Sequence, residues 1–206
     1  MRSSRRGAPE KRDIGERKMS DYNIIETERL RLTSWQDTEE DAQGLFSWAS
    51  NPNVGPNAGW KPHASLEESR TILRELFVPG GDGYAIREKD TNKIIGNISV
   101  YPDTAREGVK SMELGYALSE ECWGKGYMTE AAKALMKYAF EKYDLAIMAI
   151  RTSEVNRRSQ RVIEKCGFKY EGTLRKAYHI YTGEDRDSRF YSITREEWEE
   201  IKDKQR

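Results

Sequence analysis

Between Glu113 and Ala131 the chain reads ELGYALSEECWGKGYMTEA, and this stretch restricts the fold more than any other. Met112, Leu114, Tyr116 and Leu118 alternate with Glu113, Gly115 and Ala117, the two-residue period of a strand with unlike faces. Gly124 and Gly126 then bracket Lys125, and Met128, Ala132, Leu135, Met136, Ala139 and Phe140 share one helical stripe. The aliphatic run Leu145 to Ile150 follows, and suits a strand buried on both faces. Strand, glycine turn, amphipathic helix and buried strand in that order call for an α/β arrangement with helices packed on a sheet.

The flanking sequence extends the pattern. Glu28 to Ser34 alternates as a half-buried strand, and Asp37 with Glu40 resembles a capping box ahead of Ala42, Leu45, Phe46 and Ala49. Ser65 with Glu68 forms a clearer box, and Pro79, Gly80 and Gly81 end that second helix. Asn51 to Lys61 reads as a loop, either a connector or a wall of a cleft. Tyr84 to Arg87 and Ile94 to Tyr101 make a hairpin, with Ser111 to Leu118 as the next strand. After the central helix come the strand at Leu145, a short helix over Asn156 to Cys166, strands over Phe168 to Tyr181 and Arg189 to Ile193, and a charged tail near Trp198.

Composition removes several function classes. Lysine plus arginine and aspartate plus glutamate each number 35 in 206 residues, so no net field draws in nucleic acid or an anionic membrane. The longest aliphatic run is six residues, far short of the roughly 20 that span a bilayer. Cys122 and Cys166 are 44 positions apart, and the only histidines are His63 and His179, spacings that fit neither a zinc site nor a disulfide framework. No metal is therefore expected. Residues 1 to 18 hold seven basic and three acidic side chains with a single Ile, and read as a flexible basic arm, solvated or touching RNA or acidic protein. They lack the apolar core of a secretory signal, so a cytoplasmic location is expected. Residues 19 to 206 are left as one domain.

Two segments carry the chemistry. Glycines ahead of a helix N-terminus let unpaired N–H groups and the positive dipole end approach a pyrophosphate, though Gly124 and Gly126 equally serve as plain turn residues. Neither GxxxxGK[ST] nor GxGxxG occurs there. Some 30 residues on, Asn156 suits an N-cap, and Ser159 shares a face with Val162, Ile163 and Cys166. Ser159 either bonds within the first turn or offers its hydroxyl to a ligand lying on that helix.

In this order, ETERLRL at Glu26 to Leu32, ELGY at Glu113 to Tyr116, WGKGYMTEA at Trp123 to Ala131, Asn156, Ser159 and EKCGF at Glu164 to Phe168 resemble the GNAT N-acetyltransferase superfamily. The branch they resemble is the RimJ/RimL-like one, whose members acetylate protein N-terminal amines and other small amines. One departure stands out: the family loop usually opens with Gln or Arg three residues before the first glycine, where this chain has Glu121.

The resemblance implies a mixed, mostly antiparallel sheet splayed at its centre, with helices on both faces, and acetyl-CoA as the acyl donor. The backbone of Trp123, Gly124, Lys125, Gly126 and Tyr127 would receive the pyrophosphate, with Lys125 adding charge at its edge. Asn156 would bond the pantetheine amides, and Ser159 would stand at the thioester sulfur. The departing thiolate has a conjugate pKa near 8.5, so one placed hydrogen bond is enough help. A backbone N–H near Ala117 or Leu118 would meet the oxyanion. Glu113 is expected as the base that takes the acceptor's proton, directly or through water, or else as a salt-bridged structural carboxylate. Cys122 has no matched base and reads as a passive small residue, while Tyr178 to Tyr181, Trp48, Trp60 and Trp123 fit either core or cleft wall.

The expected partner is a protein N-terminal α-amine, a ribosomal protein's in particular. Polyamines, aminoglycosides or peptide antibiotics are the alternative acceptors, and a non-catalytic acyl-CoA sensor is the rival class. No membrane or specific nucleic acid partner is expected, and a homodimer is left open.

Overall fold

The computed structural model describes residues 24–203; the basic arm over residues 1 to 18 lies outside them. Eight strands form one sheet in the order β1-β2-β3-β4-β5-β6-β8-β7. Their ranges are β1 Ile25–Glu26, β2 Leu30–Ser34, β3 Gly83–Glu88, β4 Ile94–Pro102, β5 Ser111–Leu118, β6 Ile147–Ser153, β7 Lys169–His179 and β8 Asp185–Thr194. Every neighbouring pair is antiparallel except β5 with β6. The parallel step is the one that needs a crossover, and helix α4, Tyr127–Tyr143, supplies it.

Alternation along the strands divides the apolar side chains between two faces. Tyr84, Ile86, Ile98, Val100 and Leu114 join the stripe of α4 in the larger core. On the other face Ala85 and Ile94 pack with Trp48 and Leu45 of helix α1, Glu39–Ala49, and with Leu73 at the end of α3, Leu66–Ile72. Gly44 is where α1 presses on the sheet: a β-carbon there would stand 2.5 Å from the Ile94 side chain. The expected α/β fold with helices on both faces of a mixed sheet is the observed one.

Several boundaries differ from the expected ones. Thr38, not Asp37, caps α1: its extended backbone lets Oγ1 accept from Asp41 N at 3.2 Å, while Asp37 pairs with Arg74. The loop over Asn51 to Lys61 contains a short helix, α2, Gly55–Ala58. The strand expected from Leu145 begins at Ile147, with Ala146 N donating to Lys110 O just before β5 and Ala146 O accepting from Arg195 N just after β8. Arg157–Lys165 is helix α5.

The tail near Trp198 is a helix, α6, Arg195–Asp203. Thr194 and Glu197 form a reciprocal capping box at its start, Glu197 N donating to Thr194 Oγ1 and Thr194 N donating to Glu197 Oε2. Trp198 then stacks on Phe140 with ring centroids 4.7 Å apart.

The start of the domain is fastened to α4 through one carboxylate. Glu130 accepts from Thr27 Oγ1 at 2.6 Å, from Arg29 N at 2.8 Å and from Arg29 Nε at 2.7 Å. These partners hold its carboxyl below the usual range despite partial burial. Glu130→Ala removes three hydrogen bonds whose donors are exposed or only half-buried and is expected to cost about 1 kcal/mol, read as a lower urea midpoint at unchanged slope.

Candidate active site

The β5–β6 ladder pairs Ser111 through Leu114 with Ile147 through Ile150 and goes no further. Beyond it the two strands part. On its other side β5 stays paired to β4 as far as Leu118, and Ser119 N donates to Ile95 O at 2.7 Å. Alternation therefore turns the N–H groups of Glu113, Gly115 and Ala117 toward β4, and those of Tyr116 and Leu118 into the gap. Of the two expected oxyanion donors, Leu118 is available and Ala117 is committed to Asn97. The Leu118 carbonyl accepts from the Trp123 indole at 2.9 Å, which fixes the turn after the strand.

Gly124 and Gly126 both adopt positive φ, 76° and 83°. Gly126 is the N-cap of α4, and with no side chain to accept from it, the first turn of a 17-residue helix opens its N–H groups to the cleft. A cleft of about 290 Å³ runs along this path, lined by Tyr116, Leu118, Trp123, Gly124, Gly126 and Tyr127 on one side and by α5 on the other. Lys125 does not line it; its side chain is exposed and its carbonyl accepts from Arg29. Positive charge comes instead from Arg158, Arg161 and Lys165 of α5, with the Arg158 guanidinium 4.5 Å above the Trp123 ring. Their i, i+3, i+7 spacing, written in NRRSQRVIEK, sets all three on one side of the helix.

Asn156 caps α5, its Oδ1 accepting from Ser159 N at 3.1 Å, and its Nδ2 donates to Asn57 O on α2 at 3.1 Å. Ser159 Oγ lies 3.0 Å from Tyr116 Oη. Strand alternation puts Tyr116 on one face with Met112, Leu114 and Leu118 but does not identify it as the partner of Ser159. Burial pushes its phenol up, against the pull of Ser159, so it stays protonated and can donate.

A second cavity of about 740 Å³ opens on the opposite side of the parted strands. Trp48, Trp60, Phe77, Tyr101, Tyr178 and Phe190 give it aromatic walls, and its charged lining is Lys61, Glu68 and Arg151. Glu113 does not line it. Its carboxylate is 4% exposed, accepts from Tyr101 Oη at 3.0 Å and pairs with Arg151 at 2.8 Å, and both partners do reach the cavity. Burial raises its carboxyl while Arg151 and Tyr101 pull the other way. Direct contact between Glu113 and a cavity amine is thus not what this arrangement offers.

Burial raises the Cys122 thiol and pushes that of Cys166 up to about 12, which opposes thiolate chemistry at either. Asn57, Ala58, Tyr116, Ala117, Asn156 and Ser159 line both cavities.

A parted strand edge leading to an uncapped helix N-terminus among basic side chains suits one long ligand: a hydrogen-bonding arm that ends in phosphates. With a second cavity meeting it at a hydroxyl pair, the class defined is a group-transfer enzyme using a coenzyme A thioester. The chain belongs to the GNAT acetyltransferase family, whose acetyltransferase (GNAT) domain matches residues 29–169. The uncharacterized N-acetyltransferase YoaA of Bacillus subtilis is 28% identical over 178 residues, 84% of this chain and 98% of that protein. A GNAT-family acetyltransferase from Bacillus anthracis superposes with a TM-score of 0.74 at 24% identity, covering 84% of this chain and 99% of the other. The ribosomal-protein-S5-alanine acetyltransferase of Vibrio fischeri shares the fold, with a TM-score of 0.69 at 23% identity, over 85% and 98% of the two chains. The protein is accordingly an acetyl-CoA-dependent acyltransferase. Among the described residues no helix is long and apolar enough to cross a membrane.

Proposed function

We propose that the protein acetylates a protein N-terminal α-amine held in the aromatic cavity, by direct attack with both substrates bound. The observation that carries this reading is the shared lining: the coenzyme cleft and the larger cavity meet at Tyr116, Asn156 and Ser159. Leu118 N–H and the first turn of α4 would hold the coenzyme, together with Arg158, Arg161 and Lys165. Bound acetyl-CoA supplies an acyl group on a good leaving sulfur. Ser159, backed by Tyr116, offers that sulfur a hydrogen bond, and Leu118 N–H offers one to the acyl oxygen. Glu113 fixes Arg151 and Tyr101, and reaches the acceptor only through them or through water.

An α-amine with pKa near 7.7–8.0 is substantially neutral at pH 7.5, whereas a lysine near 10.4 pays about 4 kcal/mol for deprotonation. Polycations are disfavoured as acceptors because Glu68 is the single carboxylate in the cavity lining, set against Lys61 and Arg151. The name of the Vibrio fischeri relative supports a ribosomal acceptor, and a cytoplasmic reaction would go with it.

Thiol release from acetyl-CoA tests this against peptides with free N-termini, polyamines and aminoglycosides. Peptides are expected to be the substrates. Turnover with polyamines alone favours the small-amine alternative, and tight acetyl-CoA binding with no turnover on any amine favours a sensor.

A further inference from the structure

We infer that His63 is the group that receives the acceptor's proton during acetyl transfer. This rests on the proposed reaction at the same site. His63 lines the aromatic cavity, which also contains Ser159 and Tyr116, and is itself 8% exposed. Three contacts fix its ring. The backbone N–H donates to Ala49 O at the end of α1 at 3.0 Å, the ring centroid lies 5.5 Å from that of Trp60, and Nδ1 shares a 2.7 Å hydrogen bond with Ser69 Oγ of α3. Ser69 is fully buried, so Nδ1 is turned inward and Nε2 is the nitrogen left for the cavity. A ring held by one nitrogen with the other free is the arrangement of a general base.

The charged and titratable groups around that space favour this assignment over the carboxylates. Glu68 of α3 lines the cavity, but its Oε2 accepts from Ala64 N at 2.5 Å. Arg151 of β6 is paired with Glu113, Lys61 adds a second basic side chain, and Tyr101 of β4 is bonded to Glu113; Tyr116 of β5, bonded to Ser159, and Tyr178 of β7 complete the set. Burial lowers the imidazole's affinity for a proton, against a smaller opposite pull from Glu68, so His63 is neutral and able to accept at neutral pH.

The proton count closes. A neutral amine forms the C–N bond as the C–S bond breaks, and its N–H proton passes to Nε2. The leaving sulfur takes a proton from the Ser159–Tyr116 hydroxyl pair, which His63 replenishes through solvent.

The chain has only two histidines, so ring titration by NMR isolates His63, with His63→Gln assigning the signal. Nitrogen shifts are expected to show the Nδ1–H tautomer and a midpoint below the ordinary 6.5. An Nε2–H tautomer, or a midpoint at or above 6.5, overturns the assignment. In parallel, kcat/KM of the parent on an N-terminal peptide is expected to show two acid steps, the acceptor amine's own at about 7.7–8.0 and, below it, a limb with the midpoint of the ring. His63→Gln should remove the limb and lower kcat by roughly 100-fold, with coenzyme A affinity by calorimetry unchanged. Ser69→Ala, which keeps the base but frees its ring, should shift limb and NMR midpoint together.

Should the limb persist in His63→Gln, or vanish instead in Glu113→Gln, this assignment falls while the acetyl-transfer reading stands. If His63→Gln does not fold, a limb unmoved by Ser69→Ala while the NMR midpoint moves has the same meaning. A parent that binds coenzyme A but acetylates no amine removes both.

Discussion

Gly126→Val is expected to weaken coenzyme A binding by roughly 30- to 100-fold, the penalty of a left-handed backbone for a β-branched residue combined with loss of close approach to an anion. The position has φ of 83° and caps a helix whose first-turn N–H groups have no side-chain acceptor. Space is not the constraint, since the nearest atom to an added β-carbon is an Arg29 nitrogen at 3.5 Å. The effect must come from the backbone: valine pulls φ negative and swings the N–H groups off their aim. Calorimetry with coenzyme A reads the loss, and thermal unfolding separates it from misfolding. Affinity within twofold of the parent would move the phosphate site elsewhere.

Ser159→Ala should lower kcat by roughly 100-fold, the scale on which one placed donor acts on a developing charge, while leaving coenzyme A affinity nearly intact. The asymmetry follows from the geometry. Ser159 N still receives its cap from Asn156, so α5 keeps its start, and Tyr116 Oη keeps the Ser159 carbonyl at 3.3 Å. Tyr116→Phe removes the hydroxyl behind the serine while keeping the ring in the cleft wall, and is expected to give a smaller drop of about tenfold. Equal turnover by the parent and Ser159→Ala would show that the sulfur leaves without help from this pair.

The strand–glycine–helix segment was legible because each of its signals is local: a two-residue period, two glycines where φ is positive, and a stripe at helical spacing. Asn156 and Ser159 were legible for the same reason. Glu113 was not. Its alternation put it on the correct face, but whether that face meets a cavity or two neighbours depends on Tyr101 from β4 and Arg151 from β6, and no local pattern reports such pairings. His63 was invisible for a related reason, since Ser69 and Trp60 give its ring a fixed direction only after α3 has packed on α1. The last helix is a different failure. Thr194 and Glu197 wrote its capping box plainly, but the density of charge around Trp198 hid an apolar face only wide enough for one tryptophan and Ile201.

The amide of Asn156 ties α5 to the carbonyl of Asn57, so a single side chain belongs both to the helix beside the coenzyme and to the loop that walls the other cavity. Any reorientation of that amide by one occupant changes the footing of the second. Thermodynamic reciprocity then requires the two occupants to alter each other's dissociation constants by one common factor, whichever arrives first.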